Sequence, residues 1–267
     1  MKPGQLSENV ILVGDPGRVR LVSSFFEEII AKGSSREFVW VTGIYKTKSF
    51  TVLSTGIGTD NIDIVMNELD ALVNIDFESR EPKSEHTALN IVRIGTSGAI
   101  QPEIPLGSYV LSHYSLGCDG LLNWYAGRER VTRKDMEEQF VRQTEWPDIL
   151  PKPYFASASP LLVEALKDFT IAGVTISASG FYAPQGRVLR LPLFIPDMIE
   201  RFEKFEYQGW KLTNFEMEGS AIAGLSALMG HNAATVCCII ANRHFKESEP
   251  DYTPYIEKLI EMTLERL

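Results

Sequence analysis

The chain has 267 residues, 44% hydrophobic and 23% charged, enough for one large buried core. Its formal net charge of −9 argues against a surface built for nucleic acid or anionic membrane, which needs a basic excess. No apolar run spans a bilayer, the start Met1-Lys2-Pro3-Gly4-Gln5 has no apolar signal core, and three cysteines (Cys118, Cys237, Cys238) make no disulfide framework, so a cytoplasmic protein with buried thiols is expected.

Val10-Ile11-Leu12-Val13 reads as a buried strand. Gly14-Asp15-Pro16-Gly17-Arg18 follows with turn composition, and 19–31 reads as a helix. Strand, glycine-rich turn and helix aim backbone N–H groups at an anion, to which Arg18 would add charge; a plain strand-to-helix turn explains the composition as well. Segments 38–42 and 49–55 are predicted as neighbouring strands around Gly43-Ile44-Tyr45. A second glycine-rich turn, Ser54-Thr55-Gly56-Ile57-Gly58-Thr59-Asp60, leads into a helix through Leu72 with Thr59 or Asp60 as N-cap. The charged stretch 76–86 reads as an exposed loop.

Asn90-Ile91-Val92-Arg93-Ile94 reads as a core strand running into Gly95-Thr96-Ser97-Gly98. An arginine there needs an anionic partner, either a structural carboxylate or a ligand phosphate beside the Thr96 and Ser97 hydroxyls. Neither a GxxxxGK[ST] phosphate loop nor a GxSxG nucleophile elbow is present. Ile104-Pro105-Leu106-Gly107 is a turn, 108–113 a strand, and 116–151 reads as loops. A helix over 159–169 and a strand over 173–180 lead into Phe181-Tyr182-Ala183-Pro184-Gln185-Gly186-Arg187. Aromatic faces, an amide that can donate and accept, and a guanidinium suit a planar heterocycle; an ordinary Pro-Gln-Gly turn suits the same residues.

After a helix over 198–207, Asn214-Phe215-Glu216-Met217-Glu218 places two carboxylates one residue apart. They precede the apolar run 219–229, closed by Gly230 at a C′ position. Gly219, Ala223 and Ala227 fall on one stripe, predicted to let this helix approach a neighbour closely. Alone, the two acids read as a solvated helix entrance; if buried, they need partners such as the helix N-terminus. A strand over 235–241 and a helix over 252–267 complete one α/β domain spanning 1–267. The histidines His86, His113, His231 and His244 lack metal-ligand spacing, so no metal site is expected.

Four motifs in this order resemble the nucleoside phosphorylase family of purine and uridine phosphorylase type, over nearly the whole chain: Gly14-Asp15-Pro16-Gly17-Arg18, Arg93-Ile94-Gly95-Thr96-Ser97-Gly98-Ala99, Phe181 to Arg187, and Phe215-Glu216-Met217-Glu218. The resemblance implies a single-domain three-layer α/β/α fold with a mixed central sheet, partly closed into a barrel. It is nearest the uridine branch. Gln185 and Arg187 are similar to that branch's uracil-reading pair, and Asn242-Arg243 stands where the purine branch typically carries an aspartate. Ser35-Arg36-Glu37-Phe38 resembles the segment that lends an arginine to a neighbouring subunit's phosphate site.

The resemblance implies that Gly14, Arg18, Arg93 and Thr96 hold phosphate, with Arg36 crossing a dimer interface. Glu216, Met217 and Glu218 would meet ribose, and Phe181, Gln185, Arg187 and Arg243 the base. The implied reaction is reversible phosphorolysis of uridine, or deoxyuridine, to uracil and the pentose 1-phosphate in pyrimidine salvage. Arg93, Gln185, Arg187 and Glu218 would form the catalytic set, with inorganic phosphate as co-substrate, no cofactor, and a homo-oligomer of dimer units up to a hexamer. The alternatives are purine phosphorolysis, nucleoside hydrolysis, or non-catalytic nucleoside binding on the same scaffold. The chain departs from the pattern in three places. It has no histidine before His86, where uridine phosphorylases usually carry one for a neighbour's ribose 5′-hydroxyl. Glu37 fits an alkali-metal ligand of some family interfaces, but Asn61 stands in place of the serine, so no ion is expected. The stretch 76–86 looks like an addition to the compact bacterial pattern.

Overall fold

A computed structural model describes residues 1–267. In chain order it contains β1 (Asn9–Val13), α1 (Pro16–Ser23), β2 (Glu28–Ser35), β3 (Phe38–Tyr45), β4 (Lys48–Ser54), α2 (Thr59–Asn74), β5 (Asn90–Ala99) and β6 (Tyr109–Gly117). There follow α3 (Lys134–Thr144), β7 (Tyr154–Ser157), α4 (Pro160–Leu166), β8 (Ile171–Ser177), α5 (Met198–Lys204) and β9 (Glu206–Tyr207). The chain ends with β10 (Trp210–Glu216), α6 (Gly219–Met229), β11 (Asn232–Asn242), β12 (Glu247–Ser248) and α7 (Thr253–Arg266).

One mixed sheet carries the fold. β5 pairs with β11, β11 with β6, β6 with β8, β8 with β10, and β10 again with β5, so five strands close fully into a barrel. The sheet continues from β5 through β1, β4, β3 and β2. β5 is therefore a fork. Up to Arg93 one of its edges pairs with β1; at Gly98 the same role passes to β10. Between these points that edge is open, and the site gathers around it.

The pleat of β1 sends alternate side chains to two faces. Ile11 and Val13 pack with Val92, Val236, Leu162 of α4 and Leu259 of α7. Val10 and Leu12 pack with Met66 and Leu69 of α2 and Ile222 and Leu225 of α6. A third cluster, with Phe140 of α3 and Phe202 of α5, covers the outer face of β8 and β10 through Val174, Ile176 and Phe215. The expected three layers follow from these faces. No helix is long and apolar enough to cross a membrane.

Several local expectations change. The helix expected over 19–31 stops at Ser23, and Glu28–Ser35 forms the exposed strand β2, because pairing with β3 overrides local propensity. The β3–β4 turn lies at Lys46-Thr47, while Gly43 stays inside β3, where a Cβ would meet Phe26 Cδ2 at 2.6 Å. The N-cap of α2 is Gly58, not Thr59 or Asp60. β5 runs on through Gly95-Thr96-Ser97-Gly98, since β11 pairs with it to the end. The region 116–151 contains α3, whose buried side is only Met136, Phe140 and Thr144. Residues 198–207 divide into α5 and β9. In α6 the predicted close stripe fails, because Ala227 is exposed; the tight approach is at Gly224, where a Cβ would meet Leu122 Cδ2 at 2.7 Å.

Candidate active site

Arg93 is the hub. It extends from β5 over Gly95, where a Cβ would collide with its guanidinium, and is only 5% exposed. Its Nη2 donates to the Glu218 carboxylate, and its Nη1 lies 3.4 Å from Glu216 Oε2 and 3.5 Å from Cys237 Sγ. Its buried Nε has no partner. Of the two anions the sequence left open, the carboxylate is present, and one donor remains unspent. Burial pushes the Arg93 guanidinium down, but the charges of Glu218 and Glu216 outweigh it and hold it above its ordinary range.

The expected solvated entrance of α6 is overturned: Glu216 is 4% exposed and Glu218 is 3% exposed. β10 ends at Glu216 and α6 begins at Gly219, so the acids occupy a corner and not a helical face. That is why residues two apart both reach one arginine. Glu216 Oε2 accepts the N–H groups of Glu218 (2.8 Å) and Gly219 (2.8 Å), while Oε1 accepts the Ser177 hydroxyl. Glu216 thus satisfies the first amides of a buried, charge-free helix. Burial pushes its carboxyl up, against the pull of Arg93. Glu218 turns elsewhere. Its Oε1 accepts the Gly58 N–H at 2.8 Å, and its Oε2 pairs with Arg93. Gly58 has φ +98°, a backbone state open to glycine, which aims that N–H. Met217 is half-buried between the acids.

The two glycine turns lie side by side, with the Gly56 N–H donating to Gly14 O at 3.0 Å. Asp15 caps α1 by accepting the Gly17 N–H at 2.8 Å. Arg18 reaches back to the open edge of β5, with Nη1 3.4 Å from Ile94 O. Burial lowers its pKa, and the charge of Arg93 lowers it further. Two arginines facing one another at an open strand edge make a place for an anion. The pleat puts Arg93 and Ser97 on one face of β5 and Thr96 on the other. A ligand touching both Arg93 and Thr96 must therefore sit at that edge.

The base-side loop is organised by Gln185, 3% exposed. Its Oε1 accepts from Arg187 Nη1 (2.6 Å) and Arg243 Nη2 (2.9 Å), so the expected donor-and-acceptor amide is narrowed to a donor through its NH2 group. Arg187 also donates to Phe181 O (2.7 Å) and lies 3.8 Å above the Phe181 ring. Arg243 lies 4.6 Å above Phe215 and donates to the Gln185 carbonyl. Burial lowers the pKa of Arg187; burial, then the charge of Arg187, brings Arg243 down to about 10. The set consists of donors only, with no acid, which suits a ring that presents carbonyl oxygens and gathers negative charge. Arg243 joins it to the hub, since a Cβ at Gly98 of β5 would stand 3.7 Å from Arg243 Nε.

Arg36 is not brought to this cluster. It stands exposed at the β2–β3 hairpin tip with φ +54°, on a cavity of about 530 Å³ lined by Phe38, Trp40, Leu69 and Leu72. Glu37 and Asn61 both flank Gly56. Sequence reasoning missed Gly58, Ser177 and Cys237. Gly58 belonged to a visible glycine turn, but its contact spans 160 residues.

The sequence profile of the phosphorylase superfamily matches residues 8–263. A uridine phosphorylase from Thermococcus kodakarensis is 29% identical, over 91% of this chain and 76% of that protein. A DeoD-type purine nucleoside phosphorylase from Bacillus cereus is 26% identical, over 89% of this chain and 83% of its own. Among solved structures, a Trypanosoma brucei nucleoside phosphorylase described as showing uridine phosphorylase activity is 31% identical, with TM-score 0.89 over 100% of this chain and 94% of that one.

Proposed function

The chain belongs to the phosphorylase superfamily, and on that premise we propose that it is a uridine phosphorylase. It is a pentosyltransferase that converts uridine and phosphate reversibly to uracil and ribose 1-phosphate, in cytoplasmic pyrimidine salvage. The observation that carries the base assignment is the donor-only clamp of Gln185 by Arg187 and Arg243. The end of β11 supports it. Asn242 donates its amide to Gln101 O (3.2 Å) and Ile104 O (3.0 Å), so that position offers no acid to a purine N7.

Phosphate binds at the open edge of β5 to Arg93, Arg18, Thr96 and the Gly14 turn, with Arg36 supplied by a second copy. Glu218 accepts hydrogen bonds from ribose hydroxyls, Met217 packs on the sugar, and Glu216 holds the corner. The C1′–N1 bond breaks first, leaving an oxocarbenium-like sugar that phosphate stabilises and then attacks through one oxygen. The bonding electrons leave on uracil, where Arg187 and the Gln185 NH2 group stabilise the growing charge. Phosphate is the co-substrate, and no further cofactor enters. The test is a panel of uridine, deoxyuridine, thymidine, inosine and adenosine, with and without phosphate. Uridine should be cleaved only when phosphate is present. Faster cleavage of inosine, cleavage in water alone, or binding without product would each overturn the reading.

A further inference from the structure

Resting on the phosphorolysis reading, we propose that Asp119 and Ser177 are positioning residues that aim Glu218 at the sugar. Glu218 belongs to neither β10 nor α6, with φ −135° and ψ −30°, so its direction depends on what fixes the corner. A chain of hydrogen bonds does so. The Tyr154 hydroxyl donates to Asp119 Oδ1 (3.0 Å), and Ser220 Oγ donates to Asp119 Oδ2 (2.9 Å). The Ser220 N–H donates to Ser177 Oγ (2.8 Å), and Ser177 Oγ donates to Glu216. Glu216 then holds the N–H groups of Glu218 and Gly219.

Asp119 is the anchor. It also accepts the Leu121 N–H at 2.7 Å, and all of its donors are neutral. An ionised carboxylate only accepts, so it turns the Ser220 and Tyr154 hydroxyls toward itself. Ser177, which receives the Ser220 N–H, is left to donate onward. The Tyr154 and Ser220 hydroxyls thus converge on Asp119, the Ser177 hydroxyl points the other way to Glu216, the backbone N–H of Ser220 joins the two halves, and the chain ends on the backbone of the residue that must hold ribose.

The experiment is a pair of double-mutant cycles. Ser177→Ala and Asp119→Asn are made alone and with Glu218→Gln, and read by steady-state phosphorolysis, calorimetric uridine affinity without phosphate, and thermal unfolding. Each single change should lower kcat/KM for uridine about 10- to 100-fold, as small misplacements do. KM for phosphate should stay within about two-fold, and the added loss should fall below about two-fold once Glu218 is Gln. Equal losses in both backgrounds, or losses explained by a smaller folded fraction, would overturn the proposal. If Asp119→Asn does not fold, Tyr154→Phe takes its place in the cycle. A wild type that cleaves no nucleoside overturns the phosphorolysis reading; an active wild type with additive variants overturns only the positioning role.

Discussion

Replacing Arg93 by methionine keeps approximate length and removes the one cation facing two buried acids. At 3.4 Å the Arg93–Glu216 attraction amounts to about 5 kcal/mol at an effective dielectric of about 20. The closer Glu218 contact adds at least as much. Desolvating three ionised groups offsets much of this, but that cost is not recovered when only one partner is removed. Breaking a buried pair on one side typically costs about 3–5 kcal/mol, which for a domain of this size lowers Tm by about 6–20 °C. The pH dependence has a definite sign. The pKa of Glu216 in the folded state is already above its ordinary value because of burial, and losing Arg93 removes the largest influence opposing burial, leaving only the hydrogen bonds from Ser177 and the N–H groups of Glu218 and Gly219, and raises it further. A folded-state carboxyl pKa above the unfolded one favours folding below the unfolded value, near 4.3, and this contribution disappears as pH rises through the folded value. The deficit of Arg93→Met should therefore be largest at pH 8 and shrink toward pH 5. Calorimetric or urea unfolding of both proteins at the two pH values measures it. A deficit independent of pH, or below about 1 kcal/mol, would refute the triad as a coupled buried charge cluster.

Arg187→Ala should remove about 2–4 kcal/mol of transition-state stabilisation, read as lower kcat/KM for uridine; unchanged turnover would exclude its role on the leaving base. Arg36→Ala and Glu218→Gln should each be weakly active alone, yet mixing and reassembling their subunits should restore activity, because a mixed dimer holds one site with both residues intact. No recovery would place Arg36 outside a shared site. Burial pushes the thiols of Cys237 and Cys238 up to about 12 and about 11, so native protein at pH 8 should resist a thiol reagent that labels both once the chain is unfolded in guanidinium. Labelling of the folded chain at the free-thiol rate would contradict their burial.

The parts of the site legible in sequence were those whose chemistry conflicts with their surroundings. Arg93 stood out because an arginine inside an apolar strand needs an anion, and the strand-turn-helix glycines stood out because their composition is local. The two acids before α6 were visible too, but their burial was not, since a strand-to-helix corner and a first helical turn look alike over three residues. β2 was lost because an exposed strand has little apolar alternation and its identity depends on pairing with β3. The partners of Glu218 and Gln185 were invisible for a different reason. Gly58 and Arg243 meet them across 160 and 58 residues, and local pattern carries no such information.

The closed barrel explains why a polar site can grow from strands that read as core. Its outer faces are apolar and covered by helices, whereas its interior holds a hydrogen-bonded ladder: Ser112 to Thr175 (2.6 Å), Thr175 to Asn214 (2.9 Å), and Asn214 to Ser97 (2.8 Å). Ser177 and Glu216 occupy the next positions on the same faces of β8 and β10, and Arg93 follows on the same face of β5 past Gly95, over which its guanidinium lies. Each interior polar group finds its partner on an adjacent strand, so the ladder specifies register as well as satisfying burial. At the level of Arg93 the ladder becomes charged, and just beyond it β5 parts from β1 without meeting β10 until Gly98. The charge therefore sits beside the open stretch of this β5 edge, and the same strand pairing that closes the barrel leaves a gap next to the buried arginine.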